Sequence, residues 1–176
     1  MKKTADKQPS IFDLIVETHV GLERQGPGSP EATVKALSFL DNLDKNPRVV
    51  DLACGTGGQT MVLAQNISGD ITGLDFCPDF IDVFNGNAGK LNLHDSVHGI
   101  VGSMDSLPFG KEEFDIIWSE GAIDSMGFEK GISYWNGFLK RNGYLAVTCP
   151  SWFTGERPAE IEKFWGDAGC KLDTVG

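Results

Sequence analysis

Short apolar runs alternate with longer amphipathic segments along most of the chain after residue 29. Five runs have the pattern of buried strands, at residues 48–53, 71–75, 97–101, 114–118 and 144–148. The segments between them carry apolar residues at helical spacing, most clearly over residues 128–140. This alternation predicts βαβ units and an α/β fold, with a mostly parallel sheet covered by helices on both faces.

Capping and turn signals mark where the helices begin. Ser29-Pro30-Glu31 provides a hydroxyl cap, a proline in the first turn and an acid beside it. A glycine-rich turn, Gly55-Thr-Gly-Gly58, leads from the first strand into a short helix over residues 59–66, and Cys77-Pro78 opens the next helix. We therefore expect one domain over residues 30–176, preceded by an N-terminal helix and loop over residues 1–29.

Composition narrows the class of protein. The 176 residues are 40% hydrophobic, which suits one globular domain with a single core. The net charge of −10 argues against a nucleic acid partner, because such partners need clustered Lys and Arg. No run approaches the roughly 18 apolar residues of a membrane span, and the polar residues 4–10 do not fit a signal peptide. These features predict a cytoplasmic protein without a membrane partner.

Cysteine and histidine spacing gives no sign of a metal site or a catalytic triad. The cysteines form no C-x-x-C pair and none of the spacings of zinc ligands, so we expect reduced thiols. The histidines likewise form no metal-like or triad-like arrangement and are expected to be surface or packing residues. The residues concerned are Cys54, Cys77, Cys149, Cys170, His19, His94 and His98.

Candidate chemistry gathers where the first two strands end, since ligands of parallel sheets bind at the carboxyl ends of the strands. Asp51 lies in the first strand just before the glycine-rich turn, and Asp75 closes the second strand. Glycines let the backbone approach a ligand closely, and a carboxylate such as Asp75 can accept hydrogen bonds from both ribose hydroxyls. Together they predict a nucleotide-cofactor site. A tight strand-to-helix connection and a helix cap at Asp75 remain the alternatives.

The glycine pattern distinguishes two nucleotide cofactors. A dinucleotide fingerprint needs a third glycine at the position of Thr60, which disfavours a nicotinamide-dependent oxidoreductase. The acid of the first strand followed by Cys54-Gly-Thr-Gly-Gly58 instead resembles motif I of class I S-adenosylmethionine-dependent methyltransferases.

The resemblance extends over residues 20–165. Gly102-Ser-Met-Asp-Ser-Leu-Pro-Phe109, followed by Phe114-Asp-Ile-Ile-Trp118, resembles the methyltransferases of ubiquinone and menaquinone biosynthesis. Gln25-Gly-Pro-Gly-Ser29 and Trp118-Ser-Glu-Gly-Ala-Ile123 are similar to uncharacterised bacterial methyltransferases of this type. The resemblance implies a Rossmann-like fold with strand order 3-2-1-4-5, S-adenosylmethionine as cofactor and methyl transfer to a small-molecule acceptor. It leaves that acceptor unidentified.

The resemblance also implies roles for single residues. Gly55 and Gly57 would line the methionine part of the cofactor, Asp75 would hold the ribose, and Phe76 would pack on the adenine. An acid that relatives often use for the adenine is replaced here by Ser103. The predicted adenine contacts therefore come from the Met104 backbone and the Asp105 side chain.

Two further segments complete the predicted site. Ser119 and Glu120 follow the fourth strand, where Glu120 could accept from the cofactor's ammonium group, act as a base, or be a solvated loop carboxylate. Gly26 and Gly28 would close over the methionine carboxylate or be plain loop glycines. The predicted cofactor-binding residues are Gly26, Gly28, Asp51, Gly55, Gly57, Gln59, Asp75, Phe76, Ser103, Met104, Asp105, Ser119 and Glu120, and Glu120 is the predicted catalytic residue.

Tryptophans raise the question of an aromatic acceptor pocket. Trp135 lies on an apolar helix stripe and is expected in the core. Trp152 and Phe153, which follow the fifth strand, are the candidates for an acceptor pocket.

The resemblance implies two more strands after the fifth, whereas only one more helical stretch follows here. Residues 144–148 would then form an exposed apolar edge, which favours association. We therefore expect a truncated piece of a longer protein, or a homo-oligomer in which another chain covers the edge. A non-catalytic fragment that still binds the cofactor is the remaining alternative.

Overall fold

A computed structural model describes residues 8–170 and 172–174 of the chain. Residues 1–7 of the predicted N-terminal region, and residues 171, 175 and 176 of the predicted domain, lie outside the described residues. In chain order the elements are α1 (Ile11–His19), α2 (Pro30–Leu37), β1 (Arg48–Leu52), α3 (Gly58–Asn66), β2 (Asp70–Asp75), α4 (Pro78–Lys90), β3 (Val97–Val101), β4 (Phe114–Glu120), α5 (Phe128–Trp135), β5 (Leu139–Thr148) and α6 (Ala159–Asp167).

The five strands form one parallel sheet in the order β3-β2-β1-β4-β5, which confirms the predicted fold and strand order. The central strand β1 places Leu52 beside Leu74 of β2, and Asp51 beside Trp118 of β4. All carboxyl ends therefore meet at one edge of the sheet. The segments that follow these strands can build a single site there.

Apolar side chains fill both faces of the sheet. On one face, α2, α3 and α4 pack over a cluster that includes Phe84 and Trp118. On the other face, α5 and the segment after β3 pack over Phe114 and Trp135. Trp135 is fully buried, which confirms its predicted place in the core. Burying a large apolar side chain contributes about 1.5–3 kcal/mol, so these two layers hold the strand ends in place.

The predicted helix over residues 128–140 is wrong at its end. Helix α5 stops at Trp135, residues Asn136–Phe138 form a 3₁₀ turn, and Leu139 already pairs with Phe114 as the first residue of β5. Gly137 weakens a helix at this point because glycine loses the most backbone freedom. The apolar residues Phe138 and Leu139, which suggested a helix face, are still buried. Phe138 lies in the turn and Leu139 in the strand.

The helix-start signals and the thiol prediction are confirmed. Ser29 caps α2 by accepting a hydrogen bond from the Ala32 N–H at 3.2 Å. In α1, Ser10 and Asp13 form a reciprocal capping box. All four cysteines are free thiols. None of the described helices has the length and apolar character needed to span a membrane.

Candidate functional site

A cavity of about 280 Å³ opens at the carboxyl ends of the strands. Its volume lies just below the range for ligand pockets, about 300–1,000 Å³. Four predicted site residues line it, namely Asp75, Phe76, Ser103 and Met104. Residues that the sequence analysis did not select also line it: Ala53, Leu74, Gly102, Gly121, Ala122, Asp124 and Ser125. They all follow or end a strand, which is the signal that could have identified them.

Asp75 is the buried carboxylate at the end of β2. One of its oxygens accepts from the Cys77 N–H at 2.9 Å and the other from the Gly55 N–H at 3.0 Å. Burial raises the pKa of this carboxyl above its ordinary value, while these N–H groups act in the opposite direction. A carboxylate oxygen can accept more than one hydrogen bond. Asp75 therefore joins the glycine-rich turn to the residue before α4 and can still accept from a ligand.

Phe76 forms an apolar flank of the cavity. Its side chain is 62% exposed. The ring lies 5.4 Å from the ring of Phe12 in α1, measured between centroids, with the planes tilted by 43°. The first helix therefore reaches the cavity through an aromatic contact, and Phe76 retains exposed surface on which a flat ring can pack.

Helix α5 fixes the opposite wall of the cavity. The Trp135 indole N–H donates to the carbonyl oxygen of Met104 at 2.8 Å, and the Tyr134 hydroxyl accepts from the Leu107 N–H at 3.0 Å. Ser103 donates to the Asp105 carboxylate at 2.6 Å. Asp105 is exposed and does not line the cavity, whereas Ser103 and Met104 do.

The glycine-rich turn is left-handed at several positions. Ala53 and Gly55 both have φ of +57°, and Gly57 has φ of +92°. A Cβ on Gly57 would lie 2.7 Å from the Phe84 ring and 2.9 Å from the end of Met61. The glycine at 57 is therefore required for packing, whereas Gly55 presents its N–H to Asp75.

Asp51 is fully buried beneath the turn. It accepts a hydrogen bond from the Thr60 hydroxyl and lies 3.4 Å from the Gln59 amide nitrogen. Burial raises the pKa of Asp51 to about 7; the two hydrogen bonds oppose this, the charge of Glu120 adds to it, and the charge of Arg24 opposes it. Thr60, which stands where a dinucleotide site needs glycine, thus joins α3 to β1.

The segment at residues 20–28, here called the strap, crosses the glycine-rich turn. Gln25 donates to the Thr56 hydroxyl at 2.8 Å and accepts from the Thr56 N–H at 2.9 Å. The main chain of the strap passes so close to the first turn of α3 that a Cβ on Gly58 would meet the carbonyl oxygen of Glu23. The strap therefore covers the N-terminus of this helix.

Glu120 lies in a buried polar network under the strap. Its carboxylate accepts from the Trp118 indole N–H and the Thr33 hydroxyl, each at 2.8 Å, and forms an ion pair with Arg24. Only 6% of the Glu120 side chain and 15% of the Arg24 side chain are exposed. The structure thus places Glu120 in a hydrogen-bonded cluster rather than on a solvated loop.

Both predicted strap glycines adjoin this ion pair. A Cβ on Gly28 would come within 3.0 Å of the Arg24 guanidinium, and a Cβ on Gly26 would lie 3.7 Å from the Glu120 carbonyl oxygen. Arg24 itself was missed by the sequence analysis. The signal that could have identified it is its position next to the Gln25-Gly-Pro-Gly28 segment.

Other candidates lie apart from the cavity lining. Ser119 is buried and donates to the Leu52 carbonyl oxygen at 3.0 Å, so its hydroxyl joins β4 to β1. Trp152 is half-buried and Phe153 is 89% exposed beyond β5. Within residues 8–170 and 172–174, no three His, Cys, Asp or Glu side chains are grouped as metal ligands would be.

Comparison with known proteins places the chain among methyltransferases. The family model described as "Methyltransferase domain" matches residues 49–143. A probable chloroplastic tocopherol O-methyltransferase of Oryza sativa subsp. japonica is 34% identical over 90 residues, which cover 51% of this chain and 25% of that protein. A demethylmenaquinone methyltransferase of Listeria welshimeri is 32% identical over 85 residues, covering 47% and 36%. The chain thus spans half or less of the curated relatives it matches.

Solved structures share the fold. A phosphoethanolamine N-methyltransferase 2 of Haemonchus contortus, solved in complex with S-adenosyl-L-methionine, superposes with a TM-score of 0.75 at 18% identity. The alignment covers 92% of this chain and 38% of that one.

Proposed function

The chain belongs to the methyltransferase-domain family, and from that premise we propose that it binds S-adenosylmethionine at the carboxyl ends of its strands and transfers the methyl group to a small-molecule acceptor. The observation that carries the proposal is Asp75. This buried carboxylate closes β2, holds the glycine-rich turn through Gly55 and borders the cavity. That position suits a group that accepts hydrogen bonds from the two hydroxyls of a ribose.

The cavity fits the nucleoside half of the cofactor. Asp75 and Phe76 line it together, and Phe76 provides an aromatic surface for the base. The backbone at Ser103 and Met104 borders the same cavity and offers polar groups to the adenine edge. Asp105 is proposed to act with them, as part of the same turn.

The methionyl half would lie toward the glycine-rich turn and the strap. S-adenosylmethionine carries a sulfonium and an ammonium, and carboxylates stabilise such cations. Asp51 and Glu120 supply carboxylates in this region, where the charge of Glu120 raises the pKa of Asp51 and the charge of Arg24 lowers it. We propose that Gly55, Gln59 and Ser119 shape this region through hydrogen bonds to other residues of the chain rather than by contacting the cofactor with free side chains.

Methyl transfer from a sulfonium is an in-line displacement with a good leaving group, which is the chemistry that the cofactor supplies. The residues of the chain then have mainly to align the acceptor with the methyl group. The strap, held on Thr56 by Gln25, would also exclude water from the methionyl half. The role of Glu120 as a base toward the acceptor stays a prediction. In that role its carboxylate would have to contact the acceptor in addition to its present partners Trp118, Thr33 and Arg24.

A small molecule is the proposed acceptor class, and this rests on the resemblance to methyltransferases that are named for small-molecule acceptors. Asp124 and Ser125 border it after β4 and could contact an acceptor. Trp152 and Phe153 are proposed to contribute apolar surface. Different relatives are named for tocopherol and demethylmenaquinone, so the comparisons support the chemistry of transfer and not one acceptor.

Isothermal titration calorimetry tests the proposal with S-adenosylmethionine and S-adenosylhomocysteine. We expect both to bind the wild-type chain. Absence of heat from either ligand at millimolar concentration would contradict the proposal. A parallel fluorescence titration with reduced nicotinamide cofactor addresses the oxidoreductase alternative, for which saturable binding would be required.

Replacing Asp75 tests the ribose contact. We expect Asp75→Ala to weaken S-adenosylhomocysteine binding by about 10- to 100-fold, because hydrogen bonds to charged groups contribute about 1.5–3 kcal/mol each. Asp79→Ala is the matched control, since Asp79 is an exposed carboxylate in the first turn of α4. Unchanged affinity in Asp75→Ala, with the variant folded by circular dichroism, would refute the assignment of Asp75.

A further inference from the structure

Asp124 is a carboxylate of the cavity lining that the proposed cofactor contacts leave unused. It lies in a 3₁₀ turn, Ile123–Ser125, between β4 and α5, and is half-buried. Among the described residues its side chain has one partner, the Cys170 thiol, which donates to Oδ2 at 3.4 Å. A thiol is a weak donor, and a carboxylate has about four acceptor sites. Asp124 therefore keeps most of its hydrogen-bonding capacity for a ligand.

Strand order places Asp124 away from the part of the cavity that is proposed for the nucleoside. Strand β1 stands between β2 and β4, and neighbouring strands are about 4.8 Å apart, so the ends of β2 and β4 are separated by roughly 10 Å. The proposed ribose and base contacts, Asp75, Phe76 and Met104, come from the ends of β2 and β3. Asp124 follows β4 instead. The β4 side of the cavity is therefore the part left for the acceptor.

The charges that line the cavity are of one sign. Asp75 and Asp124 are its acidic residues, and within residues 8–170 and 172–174 no Lys, Arg or His side chain lines it. The net charge of −10 for the whole chain adds to this negative potential. Carboxylates without a nearby counter-charge repel anions and attract cations. An acceptor that carries a carboxylate or a phosphate is thus disfavoured at this site, whereas an ammonium group is favoured.

Resting on the proposed function, we propose that Asp124 binds an ammonium group of the acceptor, so that the acceptor class is a small amine that is cationic at neutral pH. An ammonium group carries three N–H donors. The acceptor sites of Asp124 that the Cys170 thiol does not use can receive them. Charge-assisted hydrogen bonds of this kind are roughly twice as strong as neutral ones. Asp124 is therefore a residue that selects the substrate.

Probes of similar shape and different charge test the inference by calorimetry, with the chain saturated by S-adenosylhomocysteine. The first series is 2-phenylethylamine, a cation, 2-phenylethanol, which is neutral, and 3-phenylpropanoate, an anion. The second series, butylamine, butan-1-ol and pentanoate, makes the result independent of an aromatic ring. We expect the wild-type chain to bind the amine about tenfold more tightly than the alcohol, and the anion least. The absence of this order from both series would overturn the inference.

Asp124→Asn removes the charge and keeps the shape of the side chain. The preference for the amine over the alcohol should fall to within about twofold, while the affinity for the alcohol stays as in the wild type. Glu129→Gln is the matched control, because Glu129 is an exposed carboxylate in the first turn of α5. This variant should keep the full preference. An undiminished preference in Asp124→Asn would overturn the assignment.

The cofactor affinities separate a failure of this inference from a failure of the proposed function. If neither S-adenosylmethionine nor S-adenosylhomocysteine binds the wild-type chain, both are overturned. If both bind and the probes show no charge preference, only the inference is overturned. Because S-adenosylmethionine has a sulfonium charge that S-adenosylhomocysteine lacks, Asp124→Asn should leave the ratio of their affinities unchanged. A selective loss of S-adenosylmethionine would assign Asp124 to the cofactor and overturn its role toward the acceptor.

Discussion

Single residues of the site carry conformations and contacts that their neighbours impose. Ala53 is left-handed, with φ of +57°, at the point where β1 enters the glycine-rich turn. Gly57 has no Cβ because the Phe84 ring fills that place. Asp75 divides its two oxygens between Gly55 and Cys77. The turn is thus shaped as much by packing beneath it as by any ligand above it.

Ala53→Gly should stabilise the chain. A left-handed alanine costs about 1–2 kcal/mol, and glycine in its place costs about 0.5–1 kcal/mol in backbone entropy. We expect a net gain of about 0.5–1 kcal/mol in the free energy of unfolding, measured by urea denaturation. Ala64→Gly, inside α3, is the control and should lose about 1 kcal/mol. A loss of stability in Ala53→Gly would show that the methyl group makes a contact that outweighs the strain.

Helices and strands position the site, and those set by local sequence pattern can be predicted more readily than contacts between residues that are distant in the chain. The strands and the acid at the end of β2 follow from local pattern, and the strand order follows from the family resemblance; the structure agrees with both, except that β5 begins earlier than predicted, at Leu139. The end of α5 does not, because Phe138 and Leu139 fit an apolar helix face as well as a buried turn and strand. Arg24 and Gln25 were missed because their partners Glu120 and Thr56 are distant in the chain.

Tyr134 links α5 to the cavity wall, and this link can be tested by removing only the hydroxyl group of its ring. In Tyr134→Phe the Leu107 N–H loses its acceptor, so the free energy of unfolding should fall by about 1 kcal/mol. Binding of 5′-methylthioadenosine, which carries the nucleoside half, should weaken by several fold because the adjacent wall loosens. Calorimetry measures the affinity and thermal melts measure the stability.

Tyr144→Phe is the control for this change. Tyr144 donates its hydroxyl proton to the Asp41 carbonyl oxygen at 2.6 Å, outside the cavity lining. A similar loss of stability with unchanged nucleoside affinity is expected. Equal weakening of the nucleoside in both variants would contradict a specific role for Tyr134.

At the scale of the whole molecule, stability is connected to the charge state of the site. Asp51 is buried among the strands with a pKa near 7, whereas its ordinary value is 3.8. Between these values the folded chain keeps the proton that the unfolded chain releases, so folding stability falls as pH rises through this interval. The region that holds the proposed cationic ligand therefore destabilises the free protein at neutral pH.

Asp51→Asn tests this connection by urea denaturation between pH 4 and pH 8. The variant should be more stable than the wild type above pH 7, by on the order of 2–4 kcal/mol, and its advantage should shrink toward pH 4. The reason is that the amide removes the charge that burial destabilises, and this outweighs the loss of one of the two acceptor oxygens that face Gln59 and Thr60. If Asp51→Asn has the same dependence of unfolding free energy on pH as the wild type, the raised pKa of Asp51 is contradicted.

Asp115→Asn should behave in the opposite way. Burial raises the pKa of Asp115, but hydrogen bonds from Lys140 and the Arg48 N–H lower it overall. Its ionised form therefore stabilises the fold above the ordinary pKa, and that stabilisation disappears as pH falls through the lowered value. The variant should lose stability at neutral pH and match the wild type in strong acid.

The strap has a consequence for timing. Under the proposed function, every round of methyl transfer would leave a spent cofactor behind, and a fresh one would have to take its place. Gln25 fastens residues 20–28 to Thr56 through both ends of its carboxamide, and the Thr56 hydroxyl also donates to the Leu22 carbonyl oxygen, so a strap that covers the proposed cofactor would have to open and re-form these bonds at each exchange. We therefore expect the rate at which the spent cofactor dissociates, rather than the rate of the displacement step, to limit the turnover rate.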